Sequence, residues 1–241
     1  MSLALKLALA PLLVAQALAT RRRAPVLPEA EGAREGRVGE GERLALLIVG
    51  DSSAAGVGVA TQEEALAGHL TRTLASEAQC RVSWQLVARS GITTAQALEL
   101  VRQVRPMPAE IAVAVLGVND VIDQVSAARA VQQRAALADW LRQAAGVRHV
   151  VFAPLPPVHR FPLLPQPLRH VMGADARAHD EAVARWAATR DDVSHVPIEL
   201  GLGPEHMAPD GFHPGEPVYR ATGEALARHI AQRLITPETG S

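Results

Sequence analysis

Short unbroken apolar runs alternate along this chain with longer stretches in which apolar residues recur every three or four positions. Residues 44–49 and 111–116 are continuous apolar runs, and 82–88, 147–153 and 193–197 are further strand candidates. Runs of this kind are expected of strands covered on both faces. Between them Leu66, Leu70 and Leu74 recur at helical spacing, and residues 93–104 and 174–189 also read as helices. A long Ala-rich helix carries Val131, Leu137 and Leu141 on one side, and Val218, Thr222, Leu226, Ile230 and Leu234 form the stripe of a closing helix. Strand and helix in alternation predict an α/β domain with a parallel sheet and helices on both faces. Ligands of such sheets bind beyond the carboxyl ends of the strands. Ser52, Gly91 and Asn119 each fall just past a predicted strand, so all three are expected on one rim.

Three stretches break the alternation. Residues 7–19 are apolar apart from Gln16, with Lys6 before them and Arg21, Arg22 and Arg23 soon after. The run is shorter than the ~20 residues a membrane span prefers and closer to a signal-peptide core. Positive charge just beyond it favours retention on the cytoplasmic side. An anchor, a helix lying on a membrane surface or packed on the domain, and a signal-like segment all stay open. Membrane association ranks ahead of export or a cytoplasmic location. Residues 21–43 mix six Arg with five Glu and hold Pro25, Pro28 and several glycines, so they read as a linker. The folded unit is expected over residues 44–235, with a short tail behind it. Residues 154–167 contain six prolines among Leu155, Val158, Phe161, Leu163 and Leu164. Such apolar density is unusual for a loop that meets only water. The loop follows a predicted strand, so it is expected as a wall or lid of a pocket on the same rim.

Composition narrows the function. At 241 residues the chain fits one domain, and 48% hydrophobic residues supply a sizeable core. Aromatics are only 3%, so that core is mostly Ala, Leu and Val. A net charge of −1 removes the electrostatic case for binding nucleic acid. Cys80 is the single cysteine, which excludes an intrachain disulfide framework and a cysteine metal cage.

The chemistry-bearing residues fall in separate segments. Gly50-Asp51-Ser52-Ser53 follows an apolar strand and is expected to open a helix, whose N-terminus would favour developing negative charge. Gly56 and Gly58 permit a tight turn. The segment lacks the Gly-Lys-Ser/Thr ending of a phosphate loop and the third glycine of a dinucleotide fingerprint, so nucleotide binding is discounted. As a structural alternative, Asp51, Ser52 and Ser53 cap the following helix. Asp210-Gly211-Phe212-His213-Pro214 sets a carboxylate three residues before a histidine on a tight turn, where it can fix the ring's tautomer. An ordinary surface turn, or a metal site of His206, Asp210 and His213, ranks below that reading. Asn119 and the Gly91 and Ser52 amides can donate to an oxyanion, although Gly91 and Asn119 also suit plain turns.

In order and type these segments resemble the SGNH (GDSL-type) hydrolases. The match comprises Gly50-Asp51-Ser52, Gly91, Gly117-x-Asn119-Asp120 and Asp210-x-x-His213. The resemblance implies a three-layer α/β/α sandwich with a five-stranded parallel sheet. It also implies Ser52 as nucleophile, His213 as base, Asp210 as its orienter, and Ser52, Gly91 and Asn119 as oxyanion hole. Ser53 stands where the family's nickname has leucine, and Asp120 is expected to brace the rim. No cofactor and no metal are expected. The reading is a serine ester hydrolase acting on a small or lipid-like ester, with short to medium acyl chains. Asp51, Ser53, Ala54, Leu155, Val158 and Phe161 are the pocket candidates. Thioesterase, lysophospholipase and carbohydrate deacetylase are the alternatives within that chemistry. A binding module without turnover is the alternative outside it. Oligomeric state has no signature in the sequence.

Overall fold

A computed structural model of the chain describes residues 3–199 and 203–235. Its strands are β1 (Glu35–Val38), β2 (Arg43–Gly50), β3 (Arg81–Ala88), β4 (Ile111–Val115), β5 (His149–Phe152) and β6 (Val193–His195). Its helices are α1 (Leu3–Arg23), α2 (Leu66–Glu77), α3 (Thr94–Val104), α4 (Val118–Ile122), α5 (Ala127–Ala145), α6 (Leu168–Ala187) and α7 (Glu216–Leu234). The six strands form one sheet in the order β1-β3-β2-β4-β5-β6. Strands β2 to β6 pair in parallel, as the apolar runs predict, and β1 pairs antiparallel with β3 at the edge.

Leu46 and Ile48 of β2 face one core with Leu70 and Leu74 of α2 and Leu226 and Ile230 of α7. The alternate residues Leu47 and Val49 face a second core with Val101 of α3, Leu137 and Leu141 of α5 and Val183 of α6. The result is the three-layer sandwich. Because both faces of the central strands are covered, those strands are apolar without interruption.

Residues 21–43, expected as a linker, belong to the folded unit. They supply β1, and Ala30 and Glu31 donate their N–H groups to the carbonyls of Ala55 and Ala60. Strand β1 is four residues long, lies at an edge and alternates exposed with half-buried positions, so it has no apolar run to reveal it. The proline-rich loop folds inward rather than across the solvent. Leu155, Val158, Phe161 and Leu164 are buried with Val121, Leu168, Met172 and Val218 in a third apolar cluster, and Leu13 of α1 packs against it. Helix α6 starts at Leu168, earlier than expected, because Leu168, Val171 and Met172 already carry its buried stripe.

The order of the sheet sets the place of the site. After β2 the chain steps to β3 on one side and returns to β4 on the other. The loops leaving β2 and β4 therefore diverge beyond their carboxyl ends, which opens a crevice at the reversal point. Ser52 is on the first loop, and Asn119 is in the first turn of α4, directly after the second. Among the described residues no helix is long and apolar enough to cross a membrane.

Candidate active site

Ser52 does not open a helix. The segment after β2 is a series of turns, and the next helix begins only at Leu66. The amides here are therefore presented by turn backbone rather than by a helix end. The Asp51 N–H bonds the Val115 carbonyl at 3.1 Å, which extends the β2–β4 pairing one step past the strand. Gly58 has φ +108°, and a Cβ there would come within 2.3 Å of the Pro214 carbonyl oxygen and 2.9 Å of Ala208. Only glycine allows that approach, and it seats the Ser52 loop directly on the turn that carries His213. Tyr219 of α7 adds a second tie, its hydroxyl donating to the Val57 carbonyl at 2.6 Å.

These contacts bring together residues separated by most of the domain. Ser52 Oγ lies 3.1 Å from His213 Nε2, and His213 Nδ1 lies 2.5 Å from Asp210 Oδ2. Asp210 Oδ1 accepts the N–H groups of Phe212 (2.9 Å) and His213 (3.0 Å), so the turn closes around the carboxylate. Burial pushes the Asp210 carboxyl up, but the His213 ring, the His213 N–H and the Phe212 N–H together hold it below the usual value. An ionised Asp210 accepts the Nδ1 proton, which leaves Nε2 as the acceptor facing Ser52. That tautomer can take a proton from a serine hydroxyl. His206 Nδ1 instead accepts the Gly203 N–H at 3.0 Å. Among the described residues no group of His, Cys, Asp or Glu is arranged to hold a metal.

The donor side of the site is built from two loops and the first turn of α4. Asn119 Nδ2 donates to the Ile92 carbonyl at 3.0 Å and, at a longer 3.3 Å, to Asp51 Oδ2. Gly91 is the residue before Ile92, with φ +79° and no atom within 4 Å of a notional Cβ. Among the described residues neither the Ser52 nor the Gly91 N–H donates to a carbonyl. Asp51 is buried, and its other oxygen accepts the Ser53 N–H at 3.0 Å. Burial raises its carboxyl to about 6, against the pull of the Ser53 N–H and of His213, with Asp120 pushing the same way as burial.

Behind these groups stands a buried ionic brace. Asp120 accepts from the Thr94 N–H (2.9 Å), the Thr94 hydroxyl (2.6 Å) and Arg134 Nη1 (3.2 Å). Arg134 Nη2 donates to the Leu116 carbonyl at 2.9 Å, and both charged side chains are sealed, Arg134 at 1% and Asp120 at 0% exposure. The brace ties the start of α3 to the loop after β4. Glu29, in the segment expected to be a linker, accepts the Ser90 N–H (2.7 Å) and hydroxyl (2.8 Å) and pairs with Arg34. It therefore pins the residue before Gly91. Sequence reasoning missed both Glu29 and Arg134, since their partners are distant along the chain.

Ser52 and His213 open into a small cavity of about 30 Å³, lined also by Ser53, Asn119 and the apolar Val118, Pro156, Phe161, Met207, Phe212 and Val218. Of the pocket candidates, Ser53 and Phe161 line it. Ala54 is buried under the strand, where it lies against Gly50. Leu155 and Val158 sit behind the wall in the third apolar cluster, and Asp51 acts from below through Asn119 and Ser53. Phe212 stacks edge-on against both Phe161 and His213, each at 5.2 Å between ring centroids.

The same architecture occurs in solved structures. A lipase from a goat rumen metagenome superposes with a TM-score of 0.63 at 17% identity, covering 77% of this chain and 96% of that one. TesA superposes with a TM-score of 0.59 at 25% identity, covering 77% and 97%. In sequence, a GDSL-like esterase of Mycobacterium tuberculosis (strain ATCC 25618 / H37Rv) is 29% identical over 208 residues, 80% of this chain but only 64% of that protein's length. A model of the GDSL-like lipase/acylhydrolase family matches residues 48–221, from the last residues of β2 into α7, and the chain belongs to that family.

Proposed function

We propose that this chain is a serine-dependent carboxylic ester hydrolase that forms an acyl-enzyme on Ser52. The observation that carries the reading is the unbroken relay from Ser52 Oγ through His213 to a hydrogen-bonded Asp210 carboxylate, opening on an apolar cavity. In this reading Ser52 attacks the ester carbonyl as His213 Nε2 takes its proton, and Asp210 holds the ring in the accepting tautomer. The oxygen of the tetrahedral intermediate meets the Ser52 and Gly91 N–H groups and the Asn119 amide. The 3.3 Å bond from Asn119 to Asp51 is the weaker of that amide's two, and it is the one the oxyanion replaces. His213 then gives its proton to the leaving alcohol. Water, activated by the same histidine, releases the acid.

The small volume of the cavity and its apolar lining support short to medium acyl chains over long ones. The test is fluorophosphonate labelling with peptide mapping, run beside hydrolysis of p-nitrophenyl butyrate. The expected outcome is a label on Ser52, lost together with hydrolysis in Ser52→Ala and kept in Ser53→Ala. A label on Ser53 would move the nucleophile by one residue. A folded protein with neither label nor turnover would return the site to a binding role.

A further inference from the structure

Helix α1 turns its polarity the wrong way for a helix in water. Between residues 7 and 19 the single polar side chain is Gln16, and it points inward. Its Nε2 donates to the Gln166 carbonyl at 2.7 Å, and the Leu168 N–H donates to its Oε1 at 3.1 Å. One amide thus docks α1 on the proline-rich loop and caps the first turn of α6. Leu13, on the same side, packs against the third apolar cluster. The outward side carries Leu12 at 47%, Val14 at 57% and Leu18 at 53% exposure, three of the seven large exposed apolar side chains among the described residues. Ala8, Pro11, Ala15 and Ala17 complete that side, so every exposed residue from 8 to 18 is apolar. A helix apolar all round needs an apolar surrounding on both sides, and the protein supplies only one.

Charge indicates what covers the other. Arg21, Arg22 and Arg23 form the last turn of α1 and are exposed. No acidic residue precedes Glu29, so the first 28 residues are purely cationic in a chain whose net charge is −1. An apolar face ending in clustered arginine suits the boundary between anionic headgroups and acyl chains, where a helix lies in the plane of the surface. Crossing the bilayer is not required, and no described helix could do so. A second protein is a poorer match, since stable protein interfaces use about 20–30 residues a side and this face exposes only seven residues between 8 and 18.

We propose that the outward face of α1 is a docking site for an anionic lipid surface, with Leu12, Val14 and Leu18 in the acyl layer and Arg21, Arg22 and Arg23 among the headgroups. The cluster beneath α1 contains Phe161 and Val218, which also line the Ser52 cavity. Docking would therefore hold that cavity close to the lipid. The proposal concerns binding and stands whether or not Ser52 proves to be a nucleophile.

The experiment is sedimentation of the full chain with vesicles of phosphatidylcholine alone and of phosphatidylcholine with phosphatidylglycerol, at low and high salt. Binding to the anionic vesicles, weakened by salt, is expected. Replacing Arg21, Arg22 and Arg23 by Gln should weaken it about fivefold per arginine, roughly a hundredfold in all. Leu12→Glu/Leu18→Glu should weaken it at least about tenfold, with an unchanged circular-dichroism spectrum because both side chains face outward. Ser52→Ala should bind like the parent protein, which separates this proposal from the catalytic one. No sedimentation with either vesicle overturns the proposal, as does binding that both surface variants leave intact. A dimer in analytical ultracentrifugation that Leu12→Glu/Leu18→Glu dissolves, with no vesicle binding, would assign the face to a second copy instead.

Discussion

Asp51→Asn isolates the electrostatics beneath the candidate site. Burial raises the Asp51 carboxyl to about 6 from the ordinary 3.8, so the folded protein prefers it protonated. Below pH 3.8 the group is neutral in both states and carries no penalty. Between about pH 3.8 and 6 the unfolded chain releases this proton while the fold retains it, so stability is lost across that window and levels off once the buried group ionises above 6. With the folded value at 6 and the unfolded at 3.8, the loss is about 1.6 kcal/mol at pH 5 and about 3.0 kcal/mol at pH 8. An asparagine titrates nowhere in this range. Its oxygen can still accept the Ser53 N–H, while its amide would face that of Asn119. That clash is the same at every pH. The free-energy difference between variant and parent should therefore shift by about 1.4 kcal/mol in the variant's favour from pH 5 to pH 8. Urea unfolding of both proteins at the two pH values measures it, and groups that titrate alike in both cancel. A difference that stays flat would refute the reasoning, because it would mean that Asp51 is ionised in the fold throughout.

Other perturbations have equally definite outcomes. Asn119→Ala should lower kcat by about 10²–10³-fold and change KM far less, read by butyrate ester kinetics. Asp210→Asn keeps the geometry but loses the acceptor that sets the His213 tautomer, and turnover should fall by about 10⁴-fold. Arg134→Met leaves the sealed Asp120 carboxylate with only Thr94 as partner, and urea unfolding should show a loss of about 3–5 kcal/mol. The double variant Asp120→Asn/Arg134→Met should recover part of that loss. Gly58→Ala forces a left-handed backbone and drives a methyl onto the Pro214 carbonyl, so it should destabilise the fold by at least about 2 kcal/mol. Hydrolysis by whatever Gly58→Ala protein still folds should drop as the Ser52 and His213 turns separate.

How much of this architecture is visible in the chain depends on where each residue finds its partner. The central parallel strands announce themselves because both faces are covered, so Leu44 to Val49 needs no polar alternate. Strand β1 does not, because Glu35 and Arg37 occupy one side of a four-residue edge. The Asp210–His213 pair is readable since its partners are three residues apart and a glycine turn lies between them. The meeting of Ser52 and His213, 161 residues apart, is readable only through the resemblance to the SGNH hydrolases, because the rule that parallel strands end on one rim places Ser52, Gly91 and Asn119 but not the turn of His213. Beyond those cases local pattern is silent. Arg134 lies among Gln and Ala in a helix and looks like any solvent-facing arginine, yet it is sealed by a carboxylate 14 residues earlier. Glu29 looks like one charge in a linker, yet its partner is Ser90 on a loop 61 residues away. The two misread residues share a feature: each is a charged group that holds a loop rather than a reacting atom. Chemistry of attack and proton transfer demands particular residue types, so it leaves a mark in sequence. Support demands only a donor or acceptor at the right distance, which many residues supply and only the fold selects.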